Sequence, residues 1–134
     1  MNISSFDLFC IYLVNAKVPK QLNIRGKIQF GNITGLIQVA NASYTVQLLD
    51  TSIMDGPTPV IASIIGDADR FPIAYKLIYD EDDVANGISF SLQATINNPT
   101  GKLLFINNVY TGVTPSGTSR TKTMDIPVIR VDGK

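Results

Sequence analysis

Apolar and polar residues alternate with a period of two along most of the chain, the spacing of a half-buried strand and not of a helix. The clearest run is Ile88, Phe90, Leu92, Ala94 and Ile96, interleaved with Ser89, Ser91, Gln93, Thr95 and Asn97. Ile24, Ile28 and Phe30 alternate with Arg25, Lys27 and Gln29. Gly26 falls on their apolar face, where a missing side chain marks a bulge or a close backbone approach. Phe71, Ile73, Tyr75, Leu77 and Tyr79 form a third set, with Lys76 on the opposite face. Residues 43–51 and 59–65 are more uniformly apolar, as strands near a sheet centre are. Residues 102–107 and 124–131 complete the series. Pro127 has no N–H to give to a ladder, so the last strand is expected at an edge or broken there.

Turn residues separate these runs. Asp55-Gly56-Pro57 and Gly66-Asp67-Ala68-Asp69 are two such breaks. Asn97-Asn98-Pro99-Thr100-Gly101 reads as a tight hairpin, with Pro99 presetting φ and Gly101 free to take positive φ. Residues 80–87 fit one helical turn, capped by Asp80, acidic in its first turn and ended by Gly87. Residues 111–123 are rich in Thr, Ser, Gly and Pro and read as a loop. The expected fold is all-β: a single-domain β-sandwich of about seven mostly antiparallel strands, with at most one short helical turn. The sandwich spans 22–134. Residues 1–21 form an N-terminal segment, undecided between strand and helix, that resembles a degenerate signal.

Composition reinforces the β reading. Of 134 residues, 17 are Ile, 10 Val and 11 Thr, and such side chains suit a pleated surface. Charged residues make up 16% and the formal net charge is zero. That gives no long-range pull toward nucleic acid, and it removes electrostatic protection against self-association. The chain has no His and one Cys. Triads that need His, His-ligated metals and an intrachain disulfide are therefore excluded. The longest apolar run, residues 8–14, is too short for a membrane span.

The stretch Val46-Gln47-Leu48-Leu49-Asp50-Thr51-Ser52-Ile53-Met54-Asp55-Gly56-Pro57-Thr58-Pro59-Val60-Ile61-Ala62 resembles the signature of the YscW-type lipoprotein family, the pilotin-like chaperones of type III secretion, with their YbaY-like envelope relatives. Members carry a similar "VxLLDxSxxDxPxxVIA" run. Phe71-Pro72-Ile73 through Leu77-Ile78-Tyr79-Asp80 is similar to the family's "PxxFxLxYD" strand and turn. Gly101-Lys102-Leu103-Leu104-Phe105 is similar to its "GxLLF" hairpin, and Ile24-Arg25-Gly26-Lys27-Ile28 to its opening "VxGxV" strand. The resemblance covers about residues 22–131. It implies a β-sandwich without catalytic activity, a cell-envelope or secreted location, and a protein partner. For pilotins that partner is an outer-membrane secretin. The chain departs from the pattern at its start: Cys10 follows Asp7-Leu8-Phe9, which is not a lipobox, and reads as a small buried hydrophobe.

The signature also has a physical reading, and most of it is structural. Val46, Leu48, Val60 and Ile61 are expected to supply core contacts, with Leu49 between them in the signature. Asp50 and Ser52 end a strand, where short polar side chains bond local N–H groups. Asp55 and Pro57 belong to a turn, and Tyr79, Asp80, Gly101, Leu104 and Phe105 extend the set. No catalytic, cofactor-binding or metal-binding residue is assigned. Asp80-Glu81-Asp82-Asp83 lacks the spacing of a calcium loop and reads as a solvated turn, with Asp67 and Asp69 the acids able to join it in space. Ten Asp and one Glu, mostly in turns, do not form a glycosidase pair. Tyr12, Tyr44, Tyr75, Tyr79 and Tyr110 read as core, and Arg120 with Lys122 as a solvated basic spot. The expected function is a non-enzymatic binding or chaperone-like module. It would offer a strand edge, 59–65 or 124–131, or an apolar face to a protein partner. A self-associating surface protein is the second class, and nucleic acid is not an expected partner.

Overall fold

The computed structural model describes residues 21–52, 56–85, 87, 89–108, 111–114 and 121–131. The readings that fall on Cys10, Tyr12, Asp55, Ile88, Tyr110 and Arg120, and on residues 1–20, lie outside the described residues.

Six long strands carry the fold: β1 (Gln21–Gln29), β3 (Ser43–Asp50), β4 (Val60–Asp67), β6 (Ile73–Asp80), β7 (Phe90–Asn97) and β8 (Leu103–Ile106). Between and after them lie short segments: β2 (Gly35–Leu36), β5 (Arg70–Phe71), β9 (Gly112–Val113), β10 (Thr121–Thr123), β11 (Ile126–Pro127) and β12 (Ile129–Arg130). One sheet runs β12-β8-β7-β3-β4, with β9 also on β7. The other has β1 at its centre, with β6 on one side and β10 and β11 on the other. A ribbon of β2 and β5 joins them at one end.

The alternation predicts the buried faces well. Phe90, Leu92, Ala94 and Ile96 of β7 point inward against Leu22, Ile24 and Ile28 of β1 and Ile73, Tyr75, Leu77 and Tyr79 of β6, all in one core. Burying each large aliphatic side chain contributes about 1.5–3 kcal/mol, so this shared core holds the two sheets face to face. Tyr44, Tyr75 and Tyr79 are buried in it, as expected.

Two expectations are corrected. First, 59–65 does not lie near the sheet centre: β3 runs between β7 and β4, and β4 ends its sheet among the described residues, the edge position also expected of it. The β3–β4 register slips between Leu48 and Leu49. That bulge turns both Val60 and Ile65 to the outer face. Second, the expected loop 111–123 contributes β9 and β10, two short strands with no alternation to betray them. The pairing is mostly antiparallel, as expected, with β1–β10 and β1–β11 parallel. Asp80 does stand before the 3-10 turn Glu81–Val84, but its side chain makes no cap hydrogen bond.

Gly26 marks a close approach. The strand running beside β1 breaks at Met124-Asp125, and a Cβ on Gly26 would overlap the Met124 carbonyl. The Met124 N–H donates to the Arg25 carbonyl at 2.9 Å. The Lys27 N–H donates to Asp125 Oδ1 at 2.9 Å, and the Tyr75 hydroxyl donates to the Met124 carbonyl at 2.6 Å. Past this crossing the chain breaks at Pro127, as its missing N–H predicts. β11 stays with β1, and after Val128 the chain moves to the other sheet as β12 beside β8.

Candidate functional site

That change of sheet brings together the ends of β1, β8 and β12, and an apolar cleft forms there. Its floor is three phenylalanines. Phe30 follows β1, Phe71 ends β5 and Phe105 lies in β8. Their ring centroids are 5.1–5.5 Å apart, with Phe105 edge-on to both others, the geometry aromatic quadrupoles favour. Arg130 stands directly opposite Phe105 in the β8–β12 register. Its guanidinium carbon lies 5.2 Å from the Phe105 ring centre and 6.0 Å from that of Phe30, within cation–π range.

The outer wall is the loop 31–39. Gly31 opens it with φ 55°, a left-handed turn that costs glycine little. The Ile33 N–H then donates to the Phe30 carbonyl at 3.0 Å. β2 pairs with β5, and the Ile37 N–H donates to the Asp69 carbonyl at 2.8 Å, fixing the loop to the opposite corner. Held this way, the loop leaves Ile33 54% and Leu36 65% exposed at the rim. The cleft's cavity is about 150 Å³. Eight of its ten lining residues are apolar, and Arg130 is the charged one. Such a surface offers dispersion contacts and one fixed positive charge. It offers no general base and no nucleophile.

The chain matches the family model described as "Type III secretion system lipoprotein chaperone (YscW)" over residues 19–126. The chain belongs to the YscW family. Among solved structures it is similar to an alternative pilotin from the type II secretion system of Vibrio cholerae. The two are 30% identical with a TM-score of 0.70, over 85% of this chain and 100% of that one. Comparison with curated protein sequences gives no match.

The YscW signature residues do not converge on one point. Val46 and Leu48 are fully buried in β3 as expected, and Leu49 and Ile61 are half-buried, but Val60, expected in the core, lies exposed on the outer face because the β3–β4 register slips beside it. Asp50 Oδ1 accepts the Ser52 N–H at 2.9 Å. Ser52 Oγ accepts the Ser89 N–H at 2.8 Å and donates to the Ser89 carbonyl at 3.2 Å. Thr51 and Ser89 hydroxyls meet at 2.8 Å. These bonds tie the end of β3 to the residue before β7. Gly101, at φ 94°, closes the 97–101 hairpin, where Asn98 Oδ1 accepts the Thr100 and Lys102 N–H groups. Tyr79 is core, Asp80 ends β6, and Pro57 lies in an exposed turn. Leu104 and Phe105 alone of the set line the cleft.

The acids near Asp80 are not joined by Asp67 and Asp69: among the described residues no three acidic, Cys or His side chains gather into a metal-holding group. The sequence reading missed Phe30, Ile33, Leu36, Phe71 and Arg130 as site residues. The available signal was the apolar loop Ile33-Thr34-Gly35-Leu36-Ile37, a cluster that a purely connecting loop has no need of.

Proposed function

We propose that this YscW-family chain is a non-enzymatic, chaperone-like module of the cell envelope that docks a segment of a partner protein in the Phe30–Phe71–Phe105 cleft. The observation that carries the reading is the cleft itself. It is a small, largely preformed apolar site with exposed Ile33 and Leu36 at its mouth, a setting that suits an anchor side chain from a partner. The pilotin resemblance makes a secretin-type protein the natural partner. In this reading residues 22–134 are the binding unit and residues 1–21 a separate N-terminal segment.

The test is an amide-shift titration of the labelled chain with overlapping peptides that span the secretin of its source genome. Binding peptides are expected to move residues 33–37, 104–105 and 129–130. Leu36→Asp, at an exposed position, is expected to weaken binding at least about ten-fold, because a charge there meets an apolar partner. Shifts confined to other loops would rule the cleft out.

A second reading rests on β4. Residues 59–66 carry no charge, and β4 ends its sheet among the described residues. Proteins usually blunt such an edge. Strand addition or weak self-association would therefore use β4, and peptide shifts running along residues 60–66 would select that reading over the cleft.

A further inference from the structure

Building on the docking reading, we propose that the cleft selects a partner segment in which one large apolar side chain stands beside a carboxylate, and that Arg130 recognises the carboxylate. Three observations converge on it. The first is size. A cavity of about 150 Å³ is well below the roughly 300–1,000 Å³ of small-molecule sites. It suits one bulky side chain better than a whole cofactor.

The second is charge. Among the described residues no carboxylate lines the cleft and none forms an ion pair with Arg130. An apolar partner segment seated there would cover a cation that no described residue balances, and burying an unpaired charge is costly. A carboxylate on the incoming segment removes that cost. The third is pre-orientation. The guanidinium lies over the Phe30 and Phe105 rings, and no carboxylate among the described residues occupies its N–H edge, which can take one in the two-point manner that suits arginine. Because those rings already give the group a favoured place, less side-chain freedom is lost on binding than for an unsupported arginine.

The experiment titrates the labelled chain with N-acetyl-leucine, N-acetyl-leucine amide, N-acetyl-alanine and dodecanoate. N-acetyl-leucine is expected to move the amides of Leu36, Ile37, Leu104 and Phe105, and to bind about five- to ten-fold tighter than its neutral amide, through a charge-assisted pair. N-acetyl-alanine keeps the charge but loses the anchor, and is expected to bind more weakly. Arg130→Gln should abolish the preference for the acid over the amide, and Arg130→Lys should retain part of it. Added salt should narrow the preference. Equal binding of acid and amide, or a preference that survives in Arg130→Gln, overturns the carboxylate assignment and leaves the docking reading intact. No movement of cleft amides with either leucine probe overturns both. Dodecanoate binding in the cleft more tightly than N-acetyl-leucine overturns the proposal in favour of an acyl chain.

Discussion

Replacing Gly26 by Ala adds one methyl group where the backbone of Met124 crosses close to β1. The new Cβ would overlap the carbonyl of Met124 and stand 3.0 Å from Asp125 Oδ1. The obstacle is backbone, so a rotamer change cannot relieve it. Displacing Met124 endangers its bonds to the Tyr75 hydroxyl and the Arg25 carbonyl, and with them the Lys27–Asp125 bond. Overpacking with a backbone shift costs about 1–3 kcal/mol. Each of two hydrogen bonds lost contributes about 1 kcal/mol more. Alanine's smaller unfolded-state entropy offsets about 0.4–1 kcal/mol. The net expectation is a loss of about 3 kcal/mol, or roughly 10 °C in Tm for a domain of this size. Urea unfolding followed by far-UV circular dichroism and tyrosine emission measures it, since the chain has no Trp. Lys27→Ala, at an exposed side chain on the same strand, is the control and should change stability by less than about 0.5 kcal/mol. A loss below 1 kcal/mol for Gly26→Ala at an unchanged m-value would refute the close-approach argument.

Other outcomes follow from the same geometry. Asn107 fills the gap between β8 and β9: its Oδ1 accepts the Ala94 N–H at 2.9 Å and its Nδ2 donates to the Leu92 carbonyl at 3.0 Å. Asn107→Ala should cost about 2–3 kcal/mol by orphaning two β7 backbone groups, and faster amide exchange at Ala94 checks it. Ser52→Ala removes both bonds to Ser89 and should cost about 1–2 kcal/mol in urea unfolding, with peptide affinity at the cleft unchanged. Burial pushes the Tyr79 hydroxyl up to about 12, and burial together with the Asp125 charge pushes Tyr75 up further. Unfolded tyrosines titrate near about 10. Stability from these groups is therefore complete below that pH and falls as pH rises toward 12, because the unfolded chain releases its protons first. Urea midpoints across this range check the fall, and Tyr75→Phe should make it shallower.

Legibility of the fold tracked how far a segment's own pattern determines its environment. β1, β6 and β7 each have one face buried by the opposite sheet, so their period-2 sequences declare both the strand and its inner side. Gly26 and Pro127 were readable because a missing side chain and a missing N–H have few structural meanings. The 97–101 hairpin was readable because Asn98 and Gly101 close it locally. β4 misled because the bulge beside Leu48 and Leu49 changes which residues face inward, and a bulge leaves no mark in hydrophobicity. β9 and β10 were missed because two or three residues cannot show a period. Their pairing is decided by β7 and β1, elements far away in sequence.

The cleft was hardest to read for a related reason. Phe30, Phe71, Phe105 and Arg130 come from four separate stretches of the chain, and the change of sheet after Val128 puts Arg130 over the rings. Each phenylalanine alone looks like core, and Arg130 alone looks like a solvated edge. The YscW signature gives little help, because most of it serves other ends. Asp50 and Ser52 clamp the end of β3 to Ser89, and Leu48 fills the core. Requirements of that kind are set by the fold and do not depend on which partner is bound. The cleft wall at 31–39 is tied down by backbone bonds from Ile33 and Ile37, which constrain its side chains much less. A loop anchored through its backbone can change Ile33 and Leu36 without disturbing the sheets, so the same sandwich can serve different partners. The residues that identify the family are therefore largely not the ones that would choose the partner.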